Sequence, residues 1–291
     1  MAPIATNPAA TTNAAPPNLA QPLPRAPGPK LAAFMNKAYH ADIEFIEELG
    51  GGRTAADSRV WKVNIDGSGP YALKLFYFVG SRYLRRDLAA PLNRPLPSDN
   101  DYFDYFDPFH CECRAYGRLK EAESENLAVR ALGYLFLTAD QEAQVSNEIE
   151  AYVNSDEIWE RTDEHDGAPI RAIVKELVEG DPFQPEHVSV MWDDLERLHE
   201  LGILVRDVRI LNYINGKLID FSRAWTAPTP AFEYIRKECL EEERRKDPEQ
   251  LHGAIFDYGR DPCQDWDTNE LMPDELWDCV GGSGTDKDPR N

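Results

Sequence analysis

Apolar and polar positions change period along this chain, and the changes mark its elements. Between 43 and 78 three runs read as strands: "IEFIEELGG" (43–51), "SRVWKVNI" (58–65), with Val60, Val63 and Ile65 among polar neighbours, and "YALKLFYF" (71–78). The "DGSGP" between the second and third is a turn, so two antiparallel steps are expected. A polar, proline-containing stretch follows (79–107), and its closing run "DYFDYFDPF" is read as a loop docking on the strand-rich small lobe or, alternatively, as a partner-binding surface.

Further on, Phe109, Glu112, Cys113, Tyr116 and Leu119 recur at helical spacing and predict an amphipathic helix. "VRALGYLFLT" (129–138) reads as a strand, 139–169 as an acidic helical insertion, and "IRAIVKELVEG" (170–180) as a buried strand running into a linker. "QPEHVSVMWDDLERLHELG" is a helix with Pro185 near its start, Gly202 at its end and an inner stripe of Val188, Met191, Leu195, Leu198 and Leu201. Asn215-Gly216 between "YI" and "KLI" is the preferred pair for a two-residue type I′ hairpin. Strands come first and helices later, which predicts an α+β fold.

The ends lack such periodicity. Residues 1–38 open with Ala, Pro, Asn and Thr, which bury too little apolar surface to offset ordering entropy, and are expected to form a disordered arm. Residues 257–291 read as an acidic tail in which Trp266, Leu271, Met272, Leu276 and Trp277 are available for docking. The folded part is expected over 39–256.

Charge and cysteine usage narrow the classes. With 291 residues and 42% hydrophobic content, one sizeable domain or two small ones can form a core. The formal net charge of -21 argues against a nucleic-acid binder, which needs a basic face. No apolar run reaches eighteen residues, so no membrane span is expected, and the first residues lack the pattern of a secretory leader. The five cysteines, Cys111, Cys113, Cys239, Cys263 and Cys279, form no CxxC pair and no Cys/His spacing. Reduced thiols in a cytoplasmic or nuclear setting are expected. Cys111 and Cys113 fall on different faces of their helix and cannot chelate one ion, and the histidines form no metal pattern.

Three groups of residues carry candidate chemistry. Glu112 lies in the apolar stripe of its helix and Lys74 in the middle of an apolar strand. Buried charges are costly unless paired, so one ion pair would explain both. The alternative is that Lys74 snorkels at a sheet edge and Glu112 caps a neighbour. Gly50, Gly51 and Gly52 lie between two strands, where backbone amides can approach phosphate oxygens or simply form a flexible hairpin tip. The hairpin at Asn215-Gly216 brings Asn212 and Asp220 to one end, with Asp207 five residues before Asn212. One aspartate could orient a hydroxyl while an asparagine and a second aspartate hold Mg²⁺. The blander reading is a hairpin with polar ends.

The order glycine loop, strand Lys74, helix Glu112, linker, "DVRILN", "DFS" resembles the protein-kinase fold over roughly 43–235. That resemblance implies a two-lobed, kinase-like α+β fold with a reduced C-lobe, the N-lobe over 39–178 and the C-lobe over 179–256. It implies ATP and Mg²⁺ as cofactors. Lys74 then contacts phosphates and pairs with Glu112, and Asp207 is the catalytic base. Asn212 and Asp220 bind metal, Gly50, Gly51, Gly52 and Val60 cover the nucleotide, and the backbone of Glu176 to Val178 meets adenine. The chain departs from the kinase pattern at Val205 (a histidine there), Ser222 (a glycine there), Ala55 in the loop, and a very short segment after Asp220.

"DPFHCECRAYGRLKE" and "DVRILNYINGKLIDFSRAWTAP" also resemble a fungal family of kinetochore Sim4 complex subunits, of the Fta-two type. The implied function is an ATP-binding, kinase-like protein that transfers the γ-phosphate to a Ser/Thr hydroxyl or to itself. The alternative is a weak or inactive pseudokinase acting as an interaction subunit, with nuclear or cytoplasmic protein partners.

Overall fold

The computed structural model describes residues 23–50, 57–88, 92–150 and 153–259. Gly51 and Gly52, most of the expected N-terminal arm and the tail from 260 on lie outside the described residues. The fold is mixed α and β, with a five-stranded antiparallel sheet and eight α-helices among the described residues.

Strands β1 (Ile43–Gly50), β2 (Ser58–Ile65), β3 (Ser68–Phe76), β4 (Ala131–Phe136) and β5 (Arg171–Glu176) lie in the order β1-β2-β3-β5-β4. Two-residue periodicity gives the sheet two unlike faces. Trp61, Val63, Ile65, Leu73, Leu75, Leu135, Ala172 and Val174 fill one face. Phe76, Tyr134, Phe136 and Ile173 fill the other. Val60 pairs with Lys74, on the face opposite Val63 and Ile65.

The acidic insertion covers the first face. It forms α4 (Ala139–Glu150) and α5 (Ser155–Ile158), which bring Val145 and the fully buried Trp159 onto the sheet. The indole Nε1 of Trp159 donates to Ser146 Oγ at 2.9 Å. Helix α3 (Pro108–Glu121) covers the second face through Phe109, Cys113 and Tyr116. Asp107 caps α3, its Oδ1 accepting from Phe109 N at 3.1 Å and His110 N at 3.3 Å. The same oxygen accepts from Arg171 Nη1 of β5 at 2.7 Å, which fixes the helix start against the sheet. Burial pushes the Asp107 carboxyl up, but Arg171 outweighs it and holds the group below its ordinary value.

The stretch 79–107 is largely helical, and so is the run expected to be a loop. It forms α1 (Ser81–Leu88) and α2 (Asp99–Phe106). Leu84, Leu88, Leu92 and Leu96, four residues apart, pack with Tyr102 and Phe106 against Leu204, Trp225, Ala231 and Ile235. A capping box between Ser98 and Asp101 starts α2. The aromatic-acidic run is therefore a helix on the helical side of the molecule, not a loop on the sheet.

Residues 23–38 also depart from the expected arm. Leu31 is buried, its N–H donates to Cys113 O at 2.9 Å, and Ala32 O and Ala38 O accept from Tyr134 and Phe136 along β4. This segment covers the edge strand, a common protection against edge pairing. Glycines allow the approach: a Cβ on Gly117 would lie 2.4 Å from Lys30 Cα, and one on Gly133 2.4 Å from Phe34 Cα.

After β5, α6 (Val188–Glu200) buries Val188, Met191, Leu195 and Leu198, while Leu201 is only half-buried. The chain continues through β6 (Ile203–Leu204), the hairpin β7 (Tyr213–Ile214) and β8 (Lys217–Leu218), β9 (Trp225–Thr226), α7 (Pro230–Tyr234) and α8 (Lys237–Gly259). Asn215 and Gly216 have φ of 50° and 74°, as the type I′ turn requires. Helix α8 runs past the expected tail boundary at 257 and brings Leu251 and Ile255 into the core. None of the described helices is long and apolar enough to cross a membrane.

Candidate functional site

The site lies where the α3 face of the sheet meets the hairpin β7–β8. Lys74 sits on that face of β3 and Glu112 is the fully buried residue of α3 opposite it. Lys74 Nζ lies 2.7 Å from Glu112 Oε2 and 2.7 Å from Asp220 Oδ1. The predicted pair therefore forms and Asp220 joins it, which rules out a lysine reaching for solvent at a sheet edge. Burial works against the charge on Lys74, but Asp220 and Glu112 outweigh it and hold its pKa above the usual value. Burial likewise opposes the Asp220 carboxylate. Lys74 and then Lys175 overcome this and hold the carboxyl well below the ordinary range.

Lys175 is the residue that sequence reasoning missed. It lies on β5 on the same face as Lys74, paired in register with Ala72. Its Nζ contacts Glu112 Oε1 and donates to Ile219 O at 2.6 Å. Glu112 thus bridges two buried lysines, and two cations face two carboxylates. The signal was present: "IVKELV" sets a lysine among apolar strand residues, the same oddity that singled out Lys74.

Asp207 and Asn212 form the second half of the site. Asn212 Nδ2 donates to Asp207 O at 2.7 Å and to its Oδ2 at 3.1 Å, and Arg209 Nη2 pairs with the same carboxylate at 2.5 Å. The amide of Asn212 is left with the acceptor Oδ1, the atom type a hard cation takes. Ile219 N donates to Asn212 O at 2.8 Å across the hairpin base, which sets Asn212 beside the strand end leading to Asp220. Among the described residues no cluster of His, Cys, Asp and Glu has the form of a metal site by itself.

The loop carrying Asp207 is pinned from below. Asp247 of α8, fully buried, accepts from Val205 N at 2.7 Å and Arg206 N at 2.6 Å, and lies 2.9 Å from His199 Nε2. Gln250 Oε1 accepts from Val208 N at 2.9 Å. Arg206, at φ 65°, pairs with Glu243 at 2.8 Å and lies 3.7 Å over the Trp225 ring. Val205 is buried in the core. Nothing in the sequence marked Asp247, because its partners lie some forty residues upstream in a loop.

Other expected positions are less closely joined. Gly50 is exposed in β1, opposite Val60, and Val60 shares the Lys74 face. The N–H of Glu176 donates to Arg130 O at 3.0 Å, and its Oε1 accepts from Arg130 N at 2.9 Å. That N–H is therefore engaged inside the protein, while Val178 in the following linker is half-buried. Cys111, Cys113 and Cys239 are free thiols, and burial pushes Cys111 up to about 12.

Fold and site together define a mixed α/β protein with a buried lysine–carboxylate cluster between a five-stranded sheet and a helical part. The model of the kinetochore Sim4 complex subunit FTA2 family matches residues 19–225, well over half of the chain, and the chain belongs to that family. The match takes in the whole lysine–carboxylate cluster and ends at Trp225, so Asp247 and α8 lie beyond it. A search of curated proteins finds no match.

Proposed function

We propose that this chain is an interaction subunit of a Sim4-type kinetochore assembly, nuclear and chromosome-associated, built on a two-lobed, protein-kinase-like frame that binds Mg²⁺-ATP at the Lys74–Asp220 junction. Membership of the FTA2 family supports the subunit role. The observation that carries the nucleotide part is the convergence of Lys74, Glu112 and Asp220, from three separate elements, at 2.7 Å. In this reading Lys74 meets phosphate oxygens, Asn212 Oδ1 and Asp220 hold Mg²⁺, and Val60 with the linker around Val178 borders the base. The donor set suits the ion, since Mg²⁺ takes one or two carboxylates together with phosphates and water. Bound there, the ion would neutralise charge on the phosphate oxygens. Asp220 would have to leave Lys74 to take it, an exchange the phosphates compensate by giving Lys74 new anionic partners.

Phosphoryl transfer is the second reading. It is favoured by Asp207, which stands with its carboxylate oriented by Asn212 although an interaction subunit has no need of a base. The test runs on the full chain. Mg²⁺-ATP at a hundredfold excess over Kd raises stability by about 2.7 kcal/mol, and Lys74→Met abolishes the effect. Absence of any shift in the wild type refutes the nucleotide part. γ-Phosphate incorporation lost on Asp207→Asn supports transfer, and incorporation that is absent or equal in both leaves the interaction subunit alone. Co-purification of Sim4-type subunits with the wild-type chain checks the assembly role.

A further inference from the structure

Asp57 leads into β2, directly after residues 51–56, and its carboxylate crosses to the segment that follows Asp220. Its Oδ2 accepts from Arg223 Nε at 2.9 Å and its Oδ1 from Arg223 Nη2 at 3.0 Å, a two-pronged pairing of carboxylate and guanidinium. Ser222 Oγ lies 3.3 Å from the same carboxylate. Asp57 and Arg223 are largely buried, with 13% and 29% of their side chains exposed. Arg223 has one further carboxylate in reach, Asp87 at 3.9 Å.

Burial is costly for this carboxylate. Burial raises the Asp57 pKa above its ordinary value even with Arg223 beside it, and the charge of Asp220 adds to the rise while that of Lys74 opposes it. An aspartate so placed is a negative group near Lys74 and Asp220, held by donors that suit any oxyanion. A guanidinium fork matches phosphate as well as carboxylate, and the hydroxyl adds a third donor. The neighbouring cavity, lined by Asp57, Asp87, Arg206, Arg223 and Trp225 among others, has about 20 Å³. That is room for a water molecule but not a phosphate, so an anion reaches the fork by displacing Asp57.

We infer that Arg223 and Ser222 form an oxyanion subsite, filled by the protein's own Asp57 and taken over by the terminal phosphate of a bound nucleoside triphosphate. The inference rests on the nucleotide reading of the Lys74–Asp220 junction. In it Asp57 is an internal competitor and Arg223 a specificity-determining residue that separates a triphosphate from a diphosphate.

Calorimetric titration of the full chain with Mg²⁺-ATP and Mg²⁺-ADP tests this. Asp57→Asn, which removes the charge but keeps the shape, is expected to tighten Mg²⁺-ATP at least fivefold and to leave Mg²⁺-ADP within twofold. Arg223→Met is expected to weaken Mg²⁺-ATP at least tenfold with ADP again little changed. If that variant does not fold, Arg223→Lys keeps the charge, loses the fork and should lose most of the preference for ATP. Lys74→Met abolishes binding of both nucleotides. An unchanged Mg²⁺-ATP affinity in Asp57→Asn, while Lys74→Met still abolishes binding, overturns the subsite and leaves the nucleotide reading standing. Binding of neither nucleotide by the wild type or by Asp57→Asn overturns both.

Discussion

Replacing Glu112 by glutamine should destabilise the protein, and removing a second charge should repair it. Glu112 is fully buried and touches Lys74 through one oxygen and Lys175 through the other. In Glu112→Gln, Lys74 keeps Asp220 at 2.7 Å, but Lys175 keeps only the Ile219 carbonyl. Lys175 then becomes a buried cation with no carboxylate in contact, and its side chain is only 6% exposed. Leaving one member of a buried pair uncompensated costs about 3–5 kcal/mol. At about 2–4 °C per kcal/mol for a chain of this size, Tm falls by roughly 6–20 °C.

The double variant Glu112→Gln/Lys175→Met removes the stranded charge, puts an unbranched apolar side chain in its place, and leaves Lys74–Asp220 intact. It should recover at least about 2 kcal/mol of the loss. Urea denaturation of wild type, single and double variants measures this, with the coupling read as a double-mutant cycle. A double variant no more stable than Glu112→Gln would refute the two-lysine arrangement. By the same geometry, loss of Lys74 does not strand Glu112, because Lys175 still neutralises it.

Three further outcomes are expected. Asp247→Ala strands the N–H groups of Val205 and Arg206, at about 1–3 kcal/mol each, and should free the Asp207 loop; unchanged stability and unchanged amide exchange at 205–208 would count against the pinning role. Gly117→Ala forces a Cβ to within 2.4 Å of Lys30 Cα, so a loss of about 1–3 kcal/mol and faster tryptic cleavage at Arg25 or Lys30 are expected, and equal cleavage rates would refute the docking of 23–38. Burial lowers the pKa of His110 and of His165 below the usual 6.5. The folded state then binds fewer protons than the unfolded one, so their stability contribution is complete above 6.5 and declines as pH falls below it. Titrating unfolding free energy from pH 7 to 5 checks this; the slope should flatten in His110→Gln, and an unaltered slope would refute the assignment.

The strands, the amphipathic helix α3, helix α6 and the type I′ hairpin were legible because each follows from a local pattern or a local pair of residues: alternation for β2, an apolar run for β3, helical spacing for Phe109 to Leu119, and Asn215-Gly216 for the turn. Lys74 and Glu112 were legible together because each charge contradicted its apolar surroundings. Helices α1 and α2 were missed where proline and aspartate suggested a loop, although Leu84 and Leu88, four apart, fall in α1, and Ser98 with Asp101 three residues on forms the capping box of α2. Residues 23–38 were read as an arm because composition reports what a segment can bury by itself, not that an uncovered strand edge and two glycines wait to receive it.

Other features belong to the tertiary structure alone. That Lys175 reaches Glu112 depends on strand order, which sets β5 beside β3 and puts both lysines on one face. That Asp247 holds the Asp207 loop, and that Asp57 meets Arg223, depends on bringing together groups 41 and 166 positions apart. Sequence determined which residues could not stay unpaired when buried. Only the fold, by fixing strand order and the docking of helices, decided which partners they found.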